Sequence, residues 1–172
     1  IGELLIDFVS IEKDVPLVEL PRFQGAAGGA PPNVAVGLAR LGVSAGFIGK
    51  VGDDPFGEFL RRTLEQEGVE TIGLRTARGA RTTLAFVATR SDGRKDITFY
   101  RNPGADMLLV ADEVDREYLT SARLVQFGSV SLSRPPAREA TLEAVEAARK
   151  AGVLVSYDPN WRPSLWDDAV EA

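Results

Sequence analysis

The feature that most constrains this chain is a repeated switch of hydrophobic period, from short β-branched runs to amphipathic helical runs and back. Leu4–Val9 reads as a first strand, and Asn33–Leu41 as a short helix that ends at Gly42. A strand over Ala45–Val51 leads to Asp53-Asp54-Pro55, an N-cap acid followed by a proline just inside a helix. On that helix Phe56, Phe59, Leu60 and Leu64 are expected to share the buried face, and Gly68 to stop it. Val69–Leu74 is a strand. The scheme then recurs as strand Arg123–Val130, helix Pro136–Ala151 with Ala140, Ala144, Val145 and Ala148 inward, Gly152 as C-cap, and strand Val153–Asp158. Runs such as Val153-Leu154-Val155 are apolar without alternation, which suits strands covered on both faces. Strands alternating with helices in this way dictate a mostly parallel, doubly wound α/β sheet with right-handed crossovers.

One region breaks the alternation. Thr82–Thr89 and Lys95–Arg101 are strand-like and flank Arg90-Ser91-Asp92-Gly93-Arg94, whose Asp-Gly pair marks a hairpin. Glu12–Gln24, with Pro16 and Pro21, is extended rather than helical. These segments, about 10–25 and 80–103, predict a small β-sheet lid standing off the main sheet. Its open edges imply a ligand to cover or a second subunit to pair with, as in a homodimer. No repeat or linker divides the chain, so residues 1–172 are expected to form part of one domain.

Composition narrows the chemistry. The 172 residues contain no Cys and no His, so they hold no disulfide, no Cys/His zinc site and no Ser–His–Asp triad. Proton transfer here falls to carboxylates, Lys or Tyr. With 20 Lys+Arg against 25 Asp+Glu, the net charge of −5 argues against a nucleic-acid partner. Only Lys13, Lys50, Lys95 and Lys150 are lysines, so the cations are mostly guanidinium forks suited to carboxylate or phosphate, or else reflect a codon bias. No stretch reaches the roughly 20 apolar residues of a membrane helix, and no basic segment precedes the first strand, so no membrane partner and a cytoplasmic location are expected. The chain opens on Ile1 inside a strand and closes on Asp167–Ala172, which reads as the first turn of an unfinished helix. Both ends are expected to be cut.

In open α/β sheets, ligands bind at the carboxyl ends of strands, and three polar features fall there. Asp7, near the end of the first strand, either bonds a loop amide or aims at the hydroxyls of a polar ligand. Gly28-Gly29-Ala30-Pro31-Pro32-Asn33 is either a simple turn or a close backbone approach completed by Asn33. It matches neither GxxxxGK[ST] nor GxGxxG, so contact with an uncharged, hydroxyl-rich ligand fits better than a phosphate cradle. Asp158-Pro159-Asn160-Trp161-Arg162-Pro163 follows a strand and is either a capped turn or a site for phosphate or metal-bound water. Phe99-Tyr100-Arg101 on the hairpin either packs the lid or covers a ligand with a ring and a cation.

Gly28-Gly29-Ala30-Pro31-Pro32-Asn33-Val34-Ala35, with Gly42 and Gly52 at matching spacing, resembles the N-terminal signature of the PfkB (ribokinase-like) carbohydrate kinases. GGAPPNVAVGLARLG (28–42), GKVGDDPFG (49–57) and DPNWRPSLW (158–166) are similar to its fructokinase branch, and Arg101, Gly104-Ala105-Asp106 and Phe127-Gly128-Ser129 agree. The resemblance covers essentially the whole chain and implies a ribokinase-like three-layer α/β/α core with a β lid that often mediates dimerisation. It implies transfer of the ATP γ-phosphoryl group to a sugar hydroxyl, D-fructose to fructose 6-phosphate, with Mg²⁺ and in many members a monovalent cation such as K⁺. Position by position it assigns Asp7, Gly28, Gly29 and Asn33 to the sugar, Phe99 and Arg101 to the lid over it, and Asp158, Asn160 and Arg162 to the ATP phosphate region. The family's Gly-Ala-Gly-Asp run, which carries the general-base Asp and the anion hole, and its Asn-x-x-Glu motif for Mg²⁺ are absent from these residues. The resemblance therefore places the C-terminal part of the fold outside this chain, leaves no catalytic residue in it, and implies that the 172 residues alone are inactive. A 2-keto-3-deoxygluconate kinase shares the Asp-x-Asn-x-Arg-x-x-Leu-Trp pattern and is the competing activity. A sugar-binding regulatory pseudokinase is the competing class.

Overall fold

The computed structural model describes residues 1–166, so the helical turn read at Asp167–Ala172 lies outside the described residues. In chain order the elements are β1 (Leu5–Lys13), β2 (Phe23–Gly28), α1 (Ala30–Arg40), β3 (Gly46–Gly52), α2 (Pro55–Gln66), β4 (Glu70–Ala77), β5 (Leu84–Thr89), β6 (Lys95–Tyr100), α3 (Arg116–Thr120), β7 (Leu124–Gly128), α4 (Ala137–Lys150) and β8 (Leu154–Asp158). β3 pairs parallel with β4 across α2, and β7 pairs parallel with β8 across α4, the crossovers that the alternation predicts. Residues 1 and 2 lie between these pairs: the Gly2 N–H donates to the Ile48 carbonyl at 3.1 Å and the Ile1 nitrogen to the Gln126 carbonyl at 2.8 Å.

Neighbouring residues on one strand show why helices cover both faces. Phe47 of β3 joins Leu4, Ala35, Leu60, Leu64 and Leu74 in one apolar cluster, the side of α1 and α2. Ile48, one residue on, joins Leu119, Phe127, Ala140, Ala144 and Ala148 in the other, the side of α3 and α4. Alternating side chains on one strand thus feed two separate cores, each buried leucine worth about 2 kcal/mol.

Several boundaries differ from the sequence reading. Helix α1 starts at Ala30, not Asn33, because Pro31 and Pro32 occupy its first turn, where no N–H is required. On α2 the buried stripe is Gly57, Leu60 and Leu64, while Phe56 and Phe59 are 40% and 46% exposed. Phe56 turns instead to meet Phe8 edge-to-face, with ring centroids 5.9 Å apart. Asp54 caps α2 as expected, accepting from the Gly57 N–H at 2.9 Å.

The hairpin forms, with β5 antiparallel to β6. It belongs to a four-stranded mixed sheet of order β2-β1-β5-β6, in which β1 runs parallel to β5 and antiparallel to β2. β1 therefore continues to Lys13 and is part of this sheet from Leu5 onward, so Asp7 sits near its start rather than its end. One face of the sheet is aromatic: Phe8 stacks on Phe86 at 5.2 Å, and Phe23 and Tyr100 meet Phe86 edge-on at 5.2 and 5.3 Å.

Candidate functional site

The other face carries Asp7. Register places Asp7 opposite Ala26 on β2 and Ala85 on β5, and Ala85 opposite Phe99 on β6. Paired residues point to the same side of a sheet, so one row reads Ala26, Asp7, Ala85, Phe99. Two alanines thus leave the carboxylate standing between short neighbours, with an aromatic ring at the end of the row. Gly28 completes the space: a Cβ there would lie 2.3 Å from Asp7 Oδ2, so only glycine lets the carboxylate take this position.

Asp7 is half-buried and has no hydrogen-bond partner among the described residues. Burial raises its carboxyl above the usual range, while the positive charges of Lys95 and Arg162 pull it back. Lys95 lies on β6 at the same alternate positions as Phe99, so both share the face of Asp7. The sequence reading took Lys95 only as a strand start; it becomes visible as part of the site once the β5–β6 register is fixed. A carboxylate that is desolvated, flanked by cations and left without a donor is arranged to accept hydrogen bonds from a ligand.

Gly29 is the N-cap of α1, at φ 112°, and a Cβ on it would lie 2.6 Å from the Glu3 carbonyl oxygen. The amides that usually make a helix start attractive to anions are spent here. The Ala30 N–H donates to Glu3 Oε1 at 3.1 Å, and Pro31 and Pro32 have none. Asn33 is exposed in the first turn of α1.

The segment after β8 is an internally bonded turn. Asp158 Oδ1 accepts from the Asn160 N–H at 3.1 Å, Asn160 takes φ 34°, and Arg162 donates to the carbonyls of Asn160 and Trp161 at 3.1 and 3.2 Å. The capped-turn reading thus describes its local structure, while the charge of Arg162 acts on Asp7 across the site.

Arg101 is committed elsewhere. Its side chain is 4% exposed and bonds Asp106 Oδ2 through Nε at 2.8 Å, Ser133 Oγ at 3.1 Å and the Val130 carbonyl at 3.3 Å. Of the hairpin residues read as covering a ligand, Phe99 lies in the Asp7 row and Arg101 lies at the base of the sheet. Glu3, which the sequence reading passed over, is buried near Arg101 and Asp106, and burial pushes its carboxyl up to about 7. A lone acid four residues before Asp7 carries no sequence signal of burial.

Among the described residues no three Asp or Glu side chains gather to hold a metal ion. No helix among them is long and apolar enough to cross a membrane.

Comparison with known proteins places this arrangement. The profile of the pfkB family carbohydrate kinases matches residues 1–172. The fructokinase of Solanum tuberosum is 50% identical over 171 residues, covering 99% of this chain and 54% of that protein. A sugar kinase from Pyrococcus horikoshii, solved in complex with ATP, superposes with a TM-score of 0.92 at 36% identity, over 99% of this chain and 55% of that one. The fructokinase of Xylella fastidiosa with bound ATP gives 0.85 at 39% identity, over 98% of this chain and 50% of that one. The chain thus spans about half the length of these relatives. With a family match along its whole length, parallel strand pairs joined across helices and a second mixed sheet, the chain belongs to the pfkB family of carbohydrate kinases and has the ribokinase-like fold.

Proposed function

We propose that this chain carries the sugar-holding part of an ATP-dependent fructokinase, which converts D-fructose and ATP to fructose 6-phosphate and ADP. The observation that carries the reading is Asp7, a carboxylate with no hydrogen-bond partner among the described residues, in a row of small residues closed by Phe99. Its two oxygens can accept from vicinal hydroxyls, and Phe99 offers an apolar surface to the ring between them. Gly28 and Gly29 give the close backbone approach, and the exposed amide of Asn33 both donates and accepts. Arg162, with Asp158 and Asn160 framing its turn, brings positive charge toward the side where the ATP phosphates would enter. Arg101 acts on the sugar through the sheet it anchors rather than by contact.

Phosphoryl transfer depends mainly on positioning and charge neutralisation, and the four-stranded sheet serves as a lid that limits water at the sugar. The general base and the ligands for Mg²⁺ and K⁺ are assigned to residues outside this chain. Support comes from the fructokinase relatives and from the two related structures that hold ATP. Ile11, Val18 and Leu20, exposed on and beside the sheet, offer a second copy an apolar surface, so a homodimer belongs to the same proposal.

A coupled ATP assay tests the reading with D-fructose and 2-keto-3-deoxygluconate, on the full-length protein and on residues 1–172. Fructose turnover by the full-length protein alone is expected. Turnover by the 172 residues would overturn the placement of the base. Preference for the keto acid would replace the substrate, and tight sugar binding without turnover would make the protein a sugar-binding regulator.

A further inference from the structure

The four-stranded sheet joins the α/β layers through four passages of chain. These are Glu3–Leu5 into β1, Gly28–Ala30 out of β2, Thr82–Leu84 into β5, and Tyr100–Gly104 out of β6. All four converge on one buried polar cluster. Glu3 Oε1 accepts from the Ala30 N–H at 3.1 Å, tying the first passage to the second. Glu3 is close enough to Arg101 and Asp106 to feel both charges, and beside them the Ile6 N–H donates to the Thr83 carbonyl at 3.1 Å where β1 and β5 begin to pair. Thr83 Oγ1 donates to Asp106 Oδ1 while Arg101 Nε donates to Asp106 Oδ2, so one carboxylate ties the third to the fourth.

The cluster is also fastened to the layers beneath. Arg101 reaches Ser133 and the Val130 carbonyl in the segment after β7. Thr82 is held by Asp54, the cap of α2, at 2.8 and 2.9 Å. Exposure is 3% at Glu3, 1% at Thr83 and 5% at Asp106.

Stability alone does not account for this arrangement. A buried ion pair is often no better for stability than apolar residues of the same volume. Glu3 Oε2 and Ser129 Oγ are buried with no hydrogen-bond partner among the described residues, each at a cost of about 1–3 kcal/mol. What the cluster does fix is geometry, where the four passages meet the layers.

We infer that the Glu3–Thr83–Arg101–Asp106 cluster sets the tilt of the four-stranded sheet over the α/β layers, and that Asp106 and Arg101 are positioning residues for Asp7 and Phe99. This role rests on the reading of the Asp7 face as the sugar site. The lever arm is short but sufficient. Asp7 lies four residues beyond Glu3, about 13 Å along a strand, so a tilt of about 5° moves it by about 1 Å. A misplacement of that size can lower a rate by about 100-fold.

The test uses the full-length protein with spin labels on Ser91→Cys, in the turn between β5 and β6, and Leu41→Cys, after α1, both exposed and outside the surface offered to a second copy. These 172 residues contain no cysteine, so the labels fall only there once any cysteine elsewhere is replaced by serine. Pulsed dipolar measurements should give a narrow distance distribution in the parent and a broader one in Asp106→Asn. Thr83→Val, uncharged and nearly isosteric, should broaden it less and decides the question if Asp106→Asn does not fold. Sugar KM should rise about tenfold in Asp106→Asn and two- to fivefold in Thr83→Val, with ATP KM within twofold. Unchanged widths in folded variants overturn the inference. So does a kcat loss that vanishes once activity is divided by the folded fraction, with both KM values kept. If the parent does not phosphorylate sugar, the distance distributions still decide the tilt, and the failure belongs to the functional reading.

Discussion

Two carboxylates four residues apart, Glu3 and Asp7, lead opposite lives. Glu3 lies at the base of the four-stranded sheet, buried, holding the first amide of α1 and pushed up to about 7 by desolvation. Asp7 lies on the open face, half-buried, with cations near it and no hydrogen bond among the described residues. At the base, polar groups bond one another and hold the frame. On the face, the central acid is left open beside small residues. The protein spends hydrogen bonds where shape must be kept and withholds them where a ligand is to supply them.

The largest expected effect lies on the open side. Asp7→Asn removes two charge-assisted acceptors, each worth about 1.5–3 kcal/mol, so sugar kcat/KM in the full-length protein should fall about 100-fold or more. ATP KM should stay within twofold. An equal loss on both substrates would return Asp7 to the structural side of the comparison.

Glu3→Gln probes the base. Glu3 titrates near 4.5 unfolded and near 7 folded, so between those values the folded state holds the extra proton. Parent stability therefore falls as pH rises from about 4.5 through 7, by up to about 3 kcal/mol. The amide does not titrate. Chemical denaturation at pH 5 and pH 8 should show the variant gaining on the parent by up to that amount, and parallel pH curves would refute the assignment.

Gly28→Ala sharpens the contrast at smaller cost. Its backbone can accept a methyl group, but that methyl displaces the flexible carboxylate of Asp7. Sugar kcat/KM should drop about tenfold while the melting temperature moves by no more than about 2 °C. A large fall in melting temperature with normal kinetics would mean that Gly28 serves the fold rather than Asp7.

Much of the α/β layering was legible because each signal is local: Asp54-Pro55 opens α2, and Gly68 and Gly152 follow helices at φ 78° and 79°. The hairpin was legible through Asp92-Gly93. Other features depended on partners far along the chain. Pro31 and Pro32 were placed in the turn before α1 but lie in its first turn, where a helix tolerates them. β1 runs through Ile11-Glu12-Lys13, where alternation fades, because β5 supports it. Phe56 leaves the α2 core for Phe8, a contact that helical period cannot foresee. Of the site, Asp7 and Phe99 share one row with Gly28 beside it, whereas Arg101, assigned by motif to the ligand, is held by Asp106.

The spent amides at the start of α1 have one more consequence. On the proposed reading, substrate and product differ by a phosphate ester, and the two compete for one pocket. A helix start with free N–H groups would reward the ester and slow its departure. Here the Ala30 N–H is already taken and the two prolines offer none, while Asp7 repels a second negative charge. On that reading the turn offers the phosphorylated form no amide to hold it, and any grip on the ester is left to Lys95 and Arg162.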